Sequence, residues 1–97
     1  MRIISVKTLK DFAVNHSKVK QPLKIWLDFV ENADWDSPAK IKSCFNTADF
    51  LPGDRVVFNI GGNNYRIVCR IKYSYRIVYI RFIGTHNEYD QIDAKTV

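Results

Sequence analysis

Between Gly84 and Asp90 the chain reads GTHNEYD, which sets a histidine, two carboxylates and a phenol within five consecutive residues. Histidine exchanges a proton near neutral pH, and a tyrosine or glutamate can serve as acid or base beside it. Thr85 and Glu88 also have the T-x-x-E spacing of a capping box, which predicts a short helix starting at His86 directly after a strand. On that helix His86 and Tyr89 share a face, and the open N–H groups of its first turn would favour a bound phosphate. Glu88 therefore has two readings, proton carrier and helix cap. Tyr89 likewise either reacts or packs.

Metal-independent RNA cleavage would give these groups a use. It needs a base for the 2′-hydroxyl proton, an acid for the 5′-oxygen leaving group, and cations for the charged phosphorane. Arg66 and Arg81 are candidates for the last role. Whether they reach the histidine depends on the strands that carry them.

Three strand-like runs, Arg55 to Ile60, Tyr65 to Tyr73 and Arg76 to Ile83, are joined by GGNN and by a Ser74-Tyr75 corner, which predicts two hairpins. A two-residue turn at Ser74-Tyr75 pairs Ile71 with Val78, Cys69 with Ile80 and Ile67 with Phe82, an apolar face. The other face then collects Arg66, Val68, Arg70 and Lys72 against Ile83, Arg81, Tyr79 and Ile77. The GGNN hairpin agrees, with Val56, Phe58 and Ile60 on the apolar side and Arg55, Val57 and Asn59 on the charged side. A one-residue slip would bury arginines, so burial cost fixes this parity. Arginine can grip phosphate with its planar fork and stack on bases, and Tyr79 adds a stacking surface, a combination suited to single-stranded RNA. The alternative is a solvent-facing sheet whose arginines serve only solubility and edge protection.

The first half must cover the apolar face. Ile3 and Ile4 read as a short edge or parallel strand, and Ser5 as the N-cap of a helix from Val6 to His16. A second helix has Pro22 in its first turn and an apolar stripe of Leu23, Trp26, Leu27, Val30 and Ala33. Ile25 and Phe29 fall outside that stripe, on the sheet or toward a partner protein. Ser37-Pro38 begins a short third helix to about Ser43, with Lys40 and Lys42 solvated, and Asn46 to Asp54 reads as loop. The expected architecture is α+β: N-terminal helices on one face of a small, mainly antiparallel sheet, then a short C-terminal helix.

Ninety-seven residues suit one domain, 1–97, burying about 60 to 65% of the unfolded chain's surface. With 46% hydrophobic and 13% aromatic residues, folding needs neither metal nor disulfides. No apolar run approaches the roughly 20 residues of a membrane span, and MRIISVKTLK lacks a signal-peptide core, so a cytoplasmic protein is expected. Cys44 and Cys69 are expected as buried or inert thiols. Fifteen Lys and Arg against ten Asp and Glu give +5 and a pI near 9.4, suited to an anionic partner. His16 and His86 are the only histidines, there is no Cys-His cluster or familiar carboxylate ligand spacing, and GG at 61 and 62 lacks the rest of any nucleotide-binding signature. No metal and no cofactor are expected.

The segments DRVVFNIGGNNYRIVCRI and YIRFIGTHNEYD, with ADW-SPA-IK-FNTADF upstream, resemble the HigB toxins of bacterial toxin-antitoxin modules over nearly the whole chain. V-F-N-I-x-G-N-x-Y-R and G-T-H-x-E-Y-D are the most specific parts. The resemblance implies a RelE-like fold, mRNA cleavage on translating ribosomes, and neutralisation by a HigA-like antitoxin whose helix-turn-helix domain alone would meet operator DNA. Carried over by position, it implies His86, Tyr89, Arg66 and Arg81 as catalytic and Asn59, Arg70 and Lys72 as RNA-binding, beside Tyr79. A non-catalytic RNA or ribosome binder, and a ParE-like gyrase inhibitor on the same fold, are the alternatives.

Overall fold

Hydrophobic spacing and strand parity organise the chain around one five-stranded sheet. The computed structural model describes residues 1–97. Strands β1 (Arg2–Ile4), β2 (Asp49–Leu51), β3 (Arg55–Ile60), β4 (Tyr65–Lys72) and β5 (Ile77–Thr85) lie in the order β1-β5-β4-β3-β2. Only β1 runs parallel to its neighbour. Helices α1 (Val6–Val14), α2 (Lys20–Asn32) and α3 (Pro38–Cys44) precede the meander, and α4 (His86–Tyr89) follows it. The α+β architecture is the one the sequence predicts.

Helix α2 turns Leu23, Trp26 and Val30 into the core with Leu27 and Ala33 at its margin, the expected stripe. They meet Val56, Phe58, Ile60, Ile67, Cys69, Ile71, Val78, Ile80 and Ile83 from the sheet. Phe58, fully buried, lies edge-on to Trp26 and Phe45 and stacks on Trp35, with centroids 5.3 to 6.0 Å away. Burial pushes the Cys69 thiol far above its usual range, whereas Cys44 is exposed; both are free. Ile25 and Phe29 are not in this core: both are exposed, and Phe29 makes a T-shaped pair with Phe45.

Several local expectations are corrected. Helix α1 ends at Val14, because His16 leaves the helical path to stack on Phe12 at 3.8 Å and to place Nδ1 3.0 Å from the Phe12 carbonyl. Ser5 starts it through a left-handed backbone (φ 73°) without a side-chain cap bond. The Asn46–Asp54 stretch contains β2, three residues too short to show a periodicity, held antiparallel on β3. The Ser74-Tyr75 corner is a 3-10 turn from Tyr73 to Tyr75, closed by Arg76 in the left-handed region. At the GGNN turn Gly62 and Asn63 both take positive φ, 61° and 75°, as the primed hairpin turn requires.

The most consequential correction is in β5. Ile71 faces Val78 and Cys69 faces Ile80 as expected, but Val68 then pairs with Phe82 and Ile67 with Ile83, not with Phe82. Arg81 is the extra residue of a β-bulge, so parity inverts beyond it. Ile83 enters the main core and Phe82 joins the opposite face, where Val57, Val68 and Ala94 form a second small apolar cluster. The chain after α4 folds back over this face and supplies the cover that makes an outward Phe82 affordable.

Phe58 closes the aromatic core, so Phe58→Ala should lower the unfolding free energy by about 3–5 kcal/mol. A denaturant titration showing less than about 1 kcal/mol would mean that the ring cluster does not carry the packing assigned to it.

Candidate active site

Strand β5 ends where the outer face of the sheet meets α4, and the local bonds there explain why the helix starts at His86. Thr85 Oγ1 accepts from Glu88 N at 3.2 Å while Glu88 Oε1 accepts from Thr85 N at 2.8 Å, a complete capping box. His86 N donates to the Asn64 carbonyl at 3.0 Å, which ties α4 to the β3–β4 turn. These bonds use the amides of Thr85, His86 and Glu88, so the first turn lacks the open set of donors that the sequence reading offered to a phosphate. Glu88 is accounted for as the cap.

His86 is exposed and its Nδ1 lies 3.1 Å from Asp90 Oδ2. Tyr89 is half-buried, with its ring against the Val57–Val68–Ala94 cluster and the Arg66 guanidinium 6.0 Å from its centroid. Burial raises the Tyr89 phenol above its ordinary range, the Asp49 carboxylate on β2 adds to this, Arg66 opposes it, and Asp90 raises it further. The phenol therefore holds its proton at neutral pH, as a proton donor must.

Register places Arg55, Asn59, Arg66, Arg70, Lys72 and Tyr79 on the outer face, with Arg66 beside Gly84 and Arg70 beside Tyr79. Arg66 donates to the Asn63 carbonyl at 2.6 Å and Arg81 to the Val97 carbonyl at 3.2 Å, where Arg55 also binds at 2.6 Å. The five ion pairs join Lys7 to Asp11, Lys24 to Asp28, Lys40 to Asp36, Arg76 to Asp34 and His86 to Asp90. None involves Arg55, Arg66, Arg70, Lys72 or Arg81. The Asn63 and Tyr65 carbonyls orient Arg66 without neutralising it, while Arg55 and Arg81 share the main-chain oxygen of Val97. Asn59 is on the expected face, but its amide donates to the Thr47 carbonyl at 3.2 Å and so anchors the chain entering β2.

The arrangement thus gathers His86, Tyr89 and Arg66 at one end of the outer face, with Arg70, Lys72 and Tyr79 along the strands and Arg81 under the C-terminal segment. Sequence reasoning passed over Asp90, considered only as a metal ligand; its i, i+4 spacing from His86 was the available signal. Asp49 was missed because β2 was. No three His, Cys, Asp or Glu side chains converge as metal ligands would. The largest cleft, about 700 Å³ between α2 and α3, is in the helical layer and holds none of these groups. An open basic face is the shape a polymer substrate needs.

Gly84 couples strand to helix by close approach. A Cβ there would lie 2.5 Å from Phe82 Cζ and 3.1 Å from Glu88 Cβ, so Gly84→Ala must displace the ring or the helix. It should cost about 1–3 kcal/mol in thermal unfolding; an unchanged Tm would show that the ring swings away freely. Tyr89 offers a spectroscopic check: the tyrosinate signal lost in Tyr89→Phe should titrate above the ordinary value of about 10. Since the native state holds this proton more tightly, the associated stability is complete below the unfolded pKa and is lost as pH rises through the native one. A signal titrating at or below the ordinary value would contradict the assigned burial.

Comparison with known proteins gives one consistent result. Residues 19–92 match the family model of HigB toxin, described as the RelE-like toxic component of a toxin-antitoxin system. The chain is 34% identical over 96 residues to the mRNA interferase toxin HigB of Escherichia coli strain K12, covering 97% of this chain and 92% of that protein. The mRNA interferase HigB of Shigella flexneri matches equally, and that of Escherichia coli O6:H1 is 24% identical over 95% and 91% of the two chains. The matched residues include β3 to β5 with their row of arginines and the whole of α4, and the chain belongs to the HigB toxin family.

Proposed function

We propose that this protein is the toxin of a toxin-antitoxin pair and an endoribonuclease that cleaves mRNA. The observation that carries the reading is the set of Arg66, Arg70 and Lys72 on the outer face, none paired with an Asp or Glu side chain, ending at His86 and Tyr89. Family membership and the mRNA interferase relatives support the same activity.

In this reading the ring nitrogen of His86 that faces away from Asp90 takes the proton of the 2′-hydroxyl. The 2′-oxygen attacks the adjacent phosphorus, the bond from phosphorus to the 5′-oxygen breaks, and the Tyr89 phenol gives its proton to that oxygen. The upstream fragment keeps a 2′,3′-cyclic phosphate and the downstream fragment a 5′-hydroxyl. Arg66 offsets the charge on the phosphorane, with Arg81 as its partner once RNA engages the face. Arg70 and Lys72 hold the flanking backbone and Tyr79 stacks on a base. Glu88 supports α4 and carries no proton.

The proposed partners are mRNA, the translating ribosome and a HigA-like antitoxin with a helix-turn-helix domain, through which alone operator DNA would be met. No helix is long and apolar enough to cross a membrane, and we place the protein in the cytoplasm with the ribosomes.

Primer extension on a translated message tests the activity. Wild-type protein should create new RNA ends, and His86→Ala or Tyr89→Phe should each slow cleavage by roughly 10²- to 10⁴-fold. Arg70→Ala should weaken RNA binding and reduce its salt dependence by about 0.7 in log affinity per log salt, the share of one single-strand phosphate. Binding without new ends would make the protein a non-catalytic ribosome or RNA binder. Inhibition of purified gyrase instead would move it to the ParE class.

A further inference from the structure

Asp90 lies outside every role assigned above, yet it is the group in contact with His86. One turn separates them on α4, and Asp90 N donates to the His86 carbonyl at 3.1 Å while Asp90 Oδ2 stands 3.1 Å from His86 Nδ1. The other carboxylate of the segment, Glu88, is held in the capping box and points its acceptor at the Thr85 amide. Lysines and arginines leave Asp90 free as well, since its single ion-pair partner is the imidazole. The pair is half-exposed on both sides, so its electrostatic energy in water is small. What it does supply is direction.

A neutral imidazole carries one N–H, and a carboxylate oxygen accepts but does not donate. With its oxygen 3.1 Å from Nδ1, Asp90 attracts a hydrogen there and repels a lone pair, so it favours the Nδ1–H tautomer and leaves the lone pair on Nε2. A neutral histidine side chain free in water favours the opposite tautomer, in which Nε2 is already protonated and cannot act as a base. We infer that Asp90 is a positioning residue that holds His86 in the Nδ1–H form with Nε2 free to accept the 2′-hydroxyl proton. The inference rests on the reading of His86 as the base. When His86 becomes doubly protonated after that transfer, the same carboxylate faces a full positive charge and attracts it more strongly than the neutral ring. In this role Asp90 orients the ring and passes no proton to the substrate.

The test pairs a spectroscopic readout with a kinetic one on the full chain. At a pH of about 8.5, where an ordinary imidazole is neutral, long-range ¹H–¹⁵N spectra of wild-type protein should report mainly the Nδ1–H tautomer of His86. Asp90→Ala should shift it toward the Nε2–H form. Asp28→Ala, which removes an equal charge from α2, should leave the tautomer as it is. In single-turnover cleavage of translated message, Asp90→Ala should slow the reaction roughly 10- to 100-fold, as losing the orienting partner of a functional histidine typically does. RNA binding should hold within about twofold, and Asp90→Ala should add nothing further in a His86→Ala background.

A wild-type His86 already in the Nε2–H form, or a tautomer indifferent to Asp90→Ala, overturns the positioning role. So does a cleavage loss that persists undiminished in the His86→Ala background, since Asp90 would then act without the imidazole. If instead the tautomer responds as expected while His86→Ala cleaves like wild type, the failure lies in the choice of His86 as base, and Asp90 loses its catalytic consequence with it.

Discussion

The extra residue that β5 carries at Arg81 governs the outer face of this protein. Without the bulge, Phe82 would face the helices and Ile83 would sit among the arginines. With it, Ile83 is buried in the main core and Phe82 stands outward against Val57, Val68 and Ala94. That outward ring gives the segment after α4 something apolar to fold onto. The same ring fills the space over Gly84, which is why β5 can turn directly into α4 only with a residue that has no side chain. One inserted residue thus sets the apolar seat of Tyr89, the path of the C-terminal segment and the departure of α4.

The outer face combines two demands that normally conflict, a buried apolar patch and an unneutralised row of cations. It separates them along the sheet. Val57, Val68 and Phe82 occupy the middle under Ala94, while Arg66 lies at the α4 end and Arg70 and Lys72 lie toward the opposite end of β4. Carbonyl oxygens of Asn63, Tyr65, Ala94 and Val97 fix the directions of Arg55, Arg66 and Arg81. At Arg66 these peptide carbonyls orient the guanidinium without cancelling its charge, and it keeps further N–H groups for an anion. Acidic residues near the site serve other ends: Glu88 caps, Asp90 meets His86, and Asp49 acts on the Tyr89 phenol.

Features whose signal lies in short-range spacing were legible in the sequence. The α2 stripe, the β3–β4 register, the capping box and the basic parity of β4 all follow from period and residue type, because burying an arginine costs far more than any local preference. The bulge was not legible, since Phe82-Ile83 is apolar in either register and only the cover supplied by Ala94 decides between them. Strand β2 gave too few residues to reveal alternation. Of the site, the pattern delivered His86, Tyr89 and Arg66 together, but set Arg81 on an open face where the C-terminal segment in fact binds it. The Asp90 contact was within reach of helical spacing and was obscured by attention to metal ligands.

Helix α4 is one turn long, and a single turn does not repay its own nucleation cost in water. Its persistence comes from the capping box, one amide bond to Asn64 and the seat of Tyr89, whereas β4 and β5 are locked within the sheet. Amide exchange should accordingly divide the molecule: the α4 amides escape through local opening at a small fraction of the global free energy, and those of the central strands exchange only with full unfolding. His86 and Tyr89 therefore occupy the least cooperative part of the fold, while Arg66 and Arg81 stand on the strands beneath it. Opening of that turn displaces His86 and Tyr89 together while the domain beneath it stays folded, and closing it again restores their placement without refolding the sheet.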